Sequence, residues 1–510
     1  MIDTTLPGSV GWWFLRLSQQ LQRDQGRFTL LESYRAGRPP LAWGSNNVAS
    51  KFYRFQQMSK TNFADVIVEA PSRRVRIRSI STAADADHLN GDPVAWALLR
   101  TNGMAVGVTE LTRLAKTFGR AYIATAESPT TGGHAIMTVE DPRQVITEAD
   151  PIVPNRQRAA YKAYYEPEAG CDVVILWLPG QKWVATRPRR GPLRTPRSAG
   201  ILGTPEPVAV RFNQSSFDVA PVRTAGGSEA DQFGFWSEQY DEQEIPVDLV
   251  LNKRAEGEFE THTDLLDRIN HMIFQRVVIA TMQAFRQRAL KQSDSPSAPQ
   301  LPEVDAAGNP IDYSDILEAG PDRVWLLPPG ADLWESGQAD LQGILSSVKD
   351  DVLHLAAVTS TPMSMFTPDA AAQTAEGAQL LREEMVFKVE EFEETLDAAL
   401  SRAVARAFRF MGDDVRGDSS RVSVQWRPPE RYSLAEMGSA ASQVAGTLTW
   451  AQVQEVIWQR TPQEIEDAKS QRAEDLVLAA QQARLIAATA TPRTPPPPSP
   501  SSRPPTPQVP

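Results

Sequence analysis

Cysteine is nearly absent from the sequence, and so are the motifs on which most enzymes depend. Cys171 is the only cysteine in 510 residues, which excludes an internal disulfide and a cysteine-rich zinc site. The five histidines stand in no metal-ligand spacing. No Gly-x4-Gly-Lys-Ser/Thr phosphate loop, Gly-x-Ser-x-Gly elbow or His-Glu-x-x-His motif occurs. We therefore expect no enzyme activity, no cofactor and no metal.

The sequence also lacks an excess of positive charge. Its 63 acids outnumber its 52 lysines and arginines, which gives a net charge of −11. Proteins that coat DNA are usually basic, so this chain is not expected to be one. No run approaches the ~18 apolar residues of a membrane-spanning helix. Polar residues follow Trp12-Trp13-Phe14-Leu15 at once, which indicates an amphipathic helix docked on the body and no membrane partner.

The first half of the chain mixes two periodicities, which predicts an α+β body over residues 1–261. Apolar residues near 3.6-residue spacing predict a helix over residues 9–35. Alternation predicts strands at Val66-Ile67-Val68 and over residues 75–80. Short β-rich runs separated by turn residues then continue between residues 120 and 250.

Long helices are predicted in the second half. An apolar stripe predicts one over residues 262–292, which after Asp267 carries bases without acids, among them Arg276, Arg286, Arg288 and Lys291. A second is predicted over residues 340–358. A third opens at Thr374 and continues for about ten turns. Residues 359–373 break the pattern between the second helix and the third.

The third helix has two distinct faces. Its apolar residues recur at three and four positions, which is typical of a packing seam: Leu381, Met385, Val389, Phe392, Leu396, Leu400, Ala403 and Ala407. Its acids cluster elsewhere: Glu383, Glu384, Glu390, Glu391, Glu393, Glu394 and Asp397. Either one helix packs in a globular core with a solvated acidic face, or a rod packs against copies of itself or neighbouring rods.

The C-terminal part is predicted to be helical and then extended. Capping-box sequences begin at Ser433 and Thr449, and Thr461-Pro462 adds proline at a first helical position, which predicts helices within residues 433–490. The proline-rich residues 491–510 cannot bury apolar surface and are expected to be extended or disordered.

Several stretches, taken in order, resemble the portal proteins of tailed double-stranded DNA bacteriophages. The stretches are Thr263-Asp-Leu-Leu-Asp-Arg-Ile-Asn, Leu326-Leu-Pro-Pro-Gly-Ala-Asp-Leu-Trp, Thr359-Ser-Thr-Pro-Met-Ser-Met-Phe and Thr374-Ala-Glu-Gly-Ala-Gln-Leu-Leu. The resemblance covers about residues 260–412. It implies a ring, about twelve copies in such proteins, at one capsid vertex, through which DNA passes non-specifically during packaging and ejection.

The resemblance also implies a role for each part of the chain and a set of partners. The parts are a wing (1–261), a stem helix (262–292), a clip (293–339), a second stem helix (340–358), a tunnel loop (359–373), a long helix returning to the wing (374–432), a helical crown (433–490) and the proline-rich tail (491–510). The implied partners are further copies of the chain, double-stranded DNA, the major capsid protein, the terminase and the head–tail connector. The implied location is the portal vertex of the virion, after assembly in the host cytoplasm.

Three sets of candidate site residues follow from that plan. The tunnel-loop set, expected to approach DNA, is Thr361, Pro362, Met363, Ser364, Met365, Phe366 and Thr367. The clip set, expected to dock motor and connector, is Tyr313, Asp315, Ile316, Arg323 and Trp325. The basic stem set is Arg276, Arg286, Arg288 and Lys291, which would either pair with a neighbouring subunit or form a basic belt in the channel.

Two other functions are weighed against the ring-shaped conduit. A DNA-processing packaging subunit, a terminase or nuclease, would need the phosphate loop or metal carboxylates that the sequence lacks. A minor capsid scaffold would use the third helix as a coiled-coil arm, which requires its apolar seam to be free for another chain.

Overall fold

The computed structural model describes residues 3–41, 53–84, 91–127, 133–188, 217–221, 244–284, 288–292, 304, 307–308, 310, 331–335, 341–367, 375–430, 434–444, 446–460 and 462–489. The chain divides into two compact units, one of residues 1–84 and 93–430 and one of residues 85–92 and 431–510. Helices and strands alternate through the first unit, which confirms the α+β class.

The helices of the first unit flank and interrupt its strands. They are α1 (Val10–Arg35), α2 (Phe63–Ser72), α3 (Pro93–Thr101), α4 (Met104–Phe118), α5 (Thr263–Ala284), α6 (Leu341–Val358) and α7 (Ala375–Phe410). Within the described ranges, no helix combines the length and the apolar character that a membrane crossing requires. The long third helix predicted from the seam is α7, with 36 residues.

The strands pair antiparallel throughout. They are β1 (Ile77–Ser81), β2 (Arg120–Ala126), β3 (Ile136–Glu140), β4 (Val145–Ala149), β5 (Gln157–Glu166), β6 (Cys171–Leu178), β7 (Gln181–Pro188), β8 (Asp218–Pro221), β9 (Val247–Leu251), β10 (Arg288–Gln292), β11 (Ala331–Glu335) and β12 (Ser423–Trp426). They form a five-stranded sheet in the order β4-β5-β6-β7-β8 and a three-stranded sheet β3-β2-β9. Two-strand pairs join β1 with β12 and β10 with β11.

Strand β6 of the five-stranded sheet is covered on both faces, which explains its nearly continuous apolar sequence. Alternate residues of β6 pack on α1 through Phe14 and Leu17, and the others pack on the three-stranded sheet through Tyr122. Every residue of β6 is therefore buried. A strand buried on both faces has a nearly continuous apolar sequence, and the one charged residue of β6, Asp172, is paired with Arg187 at 2.6 Å.

The apolar seam of α7 lies in a large hydrophobic cluster of the first unit, to which α2, α3, α4, α6 and β12 also contribute. We name this cluster the main core. Met385, Val389, Phe392 and Leu396 are each at most 4% exposed and pack with residues of α2, α4 and β12. The interpretation as one helix in a globular core is therefore confirmed for these residues. The coiled-coil arm is wrong, because the same chain already covers the seam.

A buried ion pair fixes the C-terminal half of α7 to the three-stranded sheet. Asp248 of β9 accepts a hydrogen bond of 2.5 Å from Arg406, and both side chains are 5% exposed. Arg402 donates to the same carboxylate at 3.0 Å. Removal of one partner from such a pair leaves a buried charge and costs about 3–5 kcal/mol, so the register of α7 on the sheet is strongly fixed.

Glu393 departs from the predicted acidic face. Its side chain is buried, and its Oε1 has no hydrogen-bond partner within the described part of the chain. Burial, with the nearby charge of Glu390, raises the pKa of Glu393 to about 8. This carboxyl group therefore carries a proton at neutral pH, whereas Glu391 and Glu394 stay exposed as predicted.

Two predicted elements are wrong. Val66-Ile67-Val68 lies within α2 and not in a strand, because Ala64, Ile67 and Val68 reach the main core at helical spacing. The helix predicted over residues 262–292 ends at Ala284, and Arg288–Gln292 forms a strand. That strand exchanges hydrogen bonds with β11, a long-range partner that no local pattern specifies.

The second unit is helical, as predicted. Its helices are α8 (Leu434–Gln443), α9 (Trp450–Gln452), which continues as a π-helical turn over Val453–Ile457, and α10 (Pro462–Thr489). The predicted capping box at Thr449 is present, with Gln452 as its reciprocal partner. Residues 433, 461 and 490–510, including the proline-rich tail, lie outside the described residues.

Gly119 makes the tightest backbone approach among the glycines that the structure describes. It has φ +84°, and a Cβ added there would stand 2.1 Å from the carbonyl oxygen of Ala255. Arg254 and Ala255 are themselves left-handed, with φ of 58° and 56°. Such residues cost roughly 1–2 kcal/mol each, so their conformation depends on the surrounding packing.

We expect Gly119→Ala to destabilise the fold more than Gly103→Ala, its matched control. Gly103 also has positive φ but nothing within 4 Å of an added Cβ, so only the backbone strain of about 1 kcal/mol applies there. Gly119→Ala adds the collision with Ala255, a further ~1–3 kcal/mol. Denaturant unfolding measures both variants, and equal losses would contradict the close approach.

Candidate functional site

The candidate site begins where α6 ends, at Thr359, Ser360 and Thr361, which we name the loop base. Ser360 is left-handed, with φ 50°. The N–H of Thr361 donates to the carbonyl of Ala356, and the N–H of Ser360 donates to that of Ala357. This is the Schellman arrangement that closes a helix, and Pro362 then prevents its continuation. The sequence therefore stops α6 sharply and sets the direction of the chain beyond it.

The residues beyond the loop base divide into buried anchors and a small exposed tip. Met363 and Phe366 are half-buried against the main core, and the ring of Phe366 meets that of Phe63 edge-on at 5.5 Å. Ser364 and Met365 are exposed on a short 3₁₀ turn, Met365 by 42%. Thr361 and Pro362 are buried. The structure therefore divides the predicted tunnel-loop set instead of exposing it as a whole.

A largely buried group of three charges lies beside the loop base, and we name it the ion cluster: Lys116, Glu258 and Lys388. Lys388 Nζ lies 2.5 Å from Glu258 Oε1, and Lys116 Nζ lies 3.1 Å from Glu258 Oε2. The three side chains are at most 14% exposed. The Lys116 ammonium also lies 4.4 Å from the centre of the Phe392 ring, within range of a cation–π contact.

The ion cluster shifts the pKa values of two of its members. Burial would raise the pKa of Glu258, but the charges of Lys116 and Lys388 outweigh it and lower the pKa to about 2. Burial lowers the pKa of Lys116, and the charge of Lys388 adds to that effect, while Glu258 opposes it. Glu258 therefore stays ionised under all ordinary conditions.

Helix α7 connects the ion cluster to the loop base. Lys388 Nζ donates to the carbonyl oxygen of Thr359 at 2.7 Å. One turn earlier on the same helix, Glu384 accepts a hydrogen bond of 2.6 Å from Ser360 Oγ. The charged groups are thus engaged with one another and with a backbone carbonyl. Chemically, this arrangement fixes the position of a chain segment.

A groove of about 660 Å³ opens beside the loop base. Residues 251–262 form one of its walls and α7 another, and its lining includes the exposed side chains of Phe387 and Val358, 61% and 53% exposed. In the described ranges, no three His, Cys, Asp or Glu side chains gather as metal ligands.

The remaining predicted site residues are only partly placed. Arg276 is half-buried on α5. Arg288 and Lys291 lie on β10 and not on the helix predicted over residues 262–292. Arg286 and the whole clip set, Tyr313, Asp315, Ile316, Arg323 and Trp325, lie outside the described residues.

Sequence reasoning missed the ion cluster. Lys388 carries the one available signal, because it is the only base between Glu383 and Arg402 on a helix otherwise rich in acids. Lys116 and Glu258 carry none, since each lies far in sequence from its partners. Their meeting depends on the packing of residues 252–258 against the end of α4, where the N–H of Glu258 donates to the carbonyl of Lys116.

Comparison with known proteins gives one family and several structures. A family model described as "Phage portal protein, SPP1 Gp6-like" matches residues 223–481, more than half of the chain. No curated protein sequence matches. Among solved structures, the neck of an empty GTA particle has 12% identity, coverage of 82% of this chain and 95% of that chain, and a TM-score of 0.37. A native gene transfer agent virion has 11% identity, coverage of 85% and 98%, and a TM-score of 0.36. The sequence match alone carries the family assignment.

We expect Glu258→Gln to destabilise the fold by about 3 kcal/mol at neutral pH, because two buried ammonium groups then lose their anion. The lowered pKa makes this contribution fully present above about pH 4.5 and lost as the pH falls toward 2. The stability difference between wild type and variant should therefore shrink in acid. Denaturant unfolding from pH 7 to pH 3 measures it, with exposed Glu394→Gln as the control. A pH-independent difference would show that the charge of Glu258 is not responsible.

Proposed function

The chain belongs to the family of phage portal proteins, SPP1 Gp6-like, and from this premise we propose that it forms the ring-shaped DNA channel at one vertex of a capsid. The observation that carries the proposal is the matched range, because residues 223–481 contain α5, α6, the loop and α7. About twelve copies close the ring by cyclic symmetry. The genome enters through this ring during packaging and leaves through it during ejection.

The charge of the chain supports a conduit rather than a DNA-binding protein. Each phosphate that a protein neutralises adds salt-dependent affinity, which would hold a duplex that has to slide. The net charge of −11 and the exposed carboxylates of α7 oppose such binding. We assign the protein no catalytic step, since the charged groups at the loop base are engaged in holding the backbone.

Within the tunnel-loop set, we propose Met365 as the residue that meets DNA. It is exposed, uncharged and adaptable in shape, so it can contact a moving duplex without an ion pair. Ser364 accompanies it at the tip. Met363 and Phe366 serve as anchors that hold the tip in place, because both pack against the main core.

The other parts of the chain take the roles of a portal in this proposal. Residues 293–339 form the clip, where the terminase docks during packaging and the head–tail connector afterwards. Residues 433–490 form the crown inside the capsid, and the wing meets the major capsid protein. The protein then resides at the portal vertex of the virion, after assembly in the host cytoplasm.

We expect the purified protein to assemble into rings of about twelve copies, as closed cyclic symmetry allows. Native mass measurement and images viewed down the ring axis test this directly. A chain that stays monomeric at high concentration, with no ring in images, would overturn the proposal.

We expect Met365→Asp to reduce the DNA retained in particles several-fold while leaving ring assembly unchanged, because a carboxylate at the tip repels the passing phosphates. Met58→Asp, at another exposed methionine, is the matched control and should retain DNA like the wild type. Retained DNA is measured by quantifying nuclease-protected genome per particle. Wild-type retention in Met365→Asp, or loss of rings, would refute the role of this tip.

A further inference from the structure

We propose that Lys388 is a positioning residue, which holds the loop base by bridging the Thr359 carbonyl and the Glu258 carboxylate and so sets where the Met365 tip stands. The proposal rests on the proposed function for its consequence in DNA retention. Its structural part, that one ammonium group controls the order of the loop, stands independently of that function.

The charge balance of the ion cluster is the first observation. Two largely buried lysines share one largely buried carboxylate, Glu258, and the exposed Glu391 also attracts Lys116. The Lys116–Glu258 pair would already be neutral, so neutralising Glu258 does not require Lys388. Adding a second ammonium group to a buried pair introduces like-charge repulsion, which is tolerated only where the added charge gains another contact.

The additional contact is the carbonyl oxygen of Thr359. The last carbonyl groups of a helix have no intrahelical partner, and Thr359 stands directly after α6. Its oxygen accepts hydrogen bonds from Lys388 Nζ at 2.7 Å and from Thr361 Oγ1 at 3.2 Å. A charge-assisted hydrogen bond to a backbone oxygen holds the chain itself, whatever the side chain at that position.

Glu258, the carboxylate that Lys388 contacts, lies in a segment whose backbone is tightly held. Glu258 follows the left-handed Arg254 and Ala255 in a segment pressed against the end of α4. The N–H of Glu258 bonds to the Lys116 carbonyl at 2.7 Å. The Asn252 side chain donates to the carbonyl of Glu256 at 2.7 Å. Because Glu258 is held in place, the contacts of Lys388 with Glu258 and with the Thr359 carbonyl fix the position of the loop base.

The ammonium group of Lys388 is engaged within the protein. Its side chain is 13% exposed, and its ammonium group is engaged with Glu258 and Thr359. The Glu384–Ser360 hydrogen bond is a second contact from the same helix, but it lies at the surface, where water competes for both groups. Of the two side-chain contacts from α7, we therefore assign the stronger hold on the loop base to Lys388.

The test compares Lys388→Met with Lys349→Met, at an exposed lysine of α6. Lys388→Met removes the donor but leaves the neutral Lys116–Glu258 pair. Hydrogen exchange is followed at the amides of Met365 and Thr367, which bond to Pro362 and Met363, and in the core half of α7 near Leu400. We expect at least about tenfold faster exchange in the loop, unchanged exchange near Leu400, and wild-type behaviour in Lys349→Met. Lys388→Arg, which retains a charged donor, should restore much of the protection.

Each other result of the exchange experiment overturns the proposal. Unchanged loop exchange shows that Lys388 does not hold the loop. Faster exchange throughout α7, or a variant that does not fold, shows a general structural role instead. Nuclease-protected DNA per particle is the second measurement, and it should fall in Lys388→Met but not in Lys349→Met. Because hydrogen exchange needs neither a ring nor DNA, a loosened loop with unchanged DNA retention would contradict the proposed function and keep the positioning role.

Discussion

A single carboxylate, Glu258, holds two buried ammonium groups, and the structure around the loop depends on that arrangement. Lys116 ties Glu258 to α4, Lys388 ties it to α7, and Lys388 extends the connection to the end of α6. Charges taken out of water are costly and persist only where each has a partner at close range. Helices α4 and α7 can therefore not move apart without leaving a charge unpaired, and the hydrogen bond from Lys388 to Thr359 joins the end of α6 to them. The left-handed turn at Arg254 and Ala255 and the glycine at position 119 serve the same constraint, because they bring Glu258 to the end of α4.

Helix α7 is the element through which this local constraint reaches the rest of the first unit. Near its start it contacts the loop base, and toward its end it is fixed to β9 by Asp248 and Arg406. Between those points its apolar seam fills the main core, while most of its carboxylates face outward. Because hydrogen bonds fix α7 both near the loop base and at β9, we expect the helix to be rigid. The loop tip is therefore attached to a rigid part of the first unit. This arrangement suits the role that we propose for the loop, which is to hold its position while DNA moves past it.

Local periodicity predicted the elements whose environment is uniform along their length. The seam of α7, the α1 helix and the β6 strand were all correctly predicted, because each repeats one pattern of burial. The errors arise where contacts with a segment that is distant in sequence determine the secondary structure or the burial of a residue. Val66-Ile67-Val68 is helical because the core accepts it at helical spacing, and Arg288–Gln292 is a strand because β11 pairs with it. Glu393 is buried in a run of acids, and the ion cluster joins residues from three separate regions. The break at residues 359–373 indicated the loop from the sequence, but within the ion cluster only Lys388, alone among acids, gave a sequence signal.

The pairing of β1 with β12 has a consequence for biosynthesis. Ile77–Ser81 emerges early from the ribosome, yet the strand it pairs with in the described structure is Ser423–Trp426, near the end of the first unit. Closing so long a loop is slow, and until it closes an unpaired strand edge stays exposed. The first unit can therefore reach its complete form only after almost all of it has been translated. Newly made chains would pass through an incomplete state with one open edge, which gives the host's chaperones a defined segment to protect.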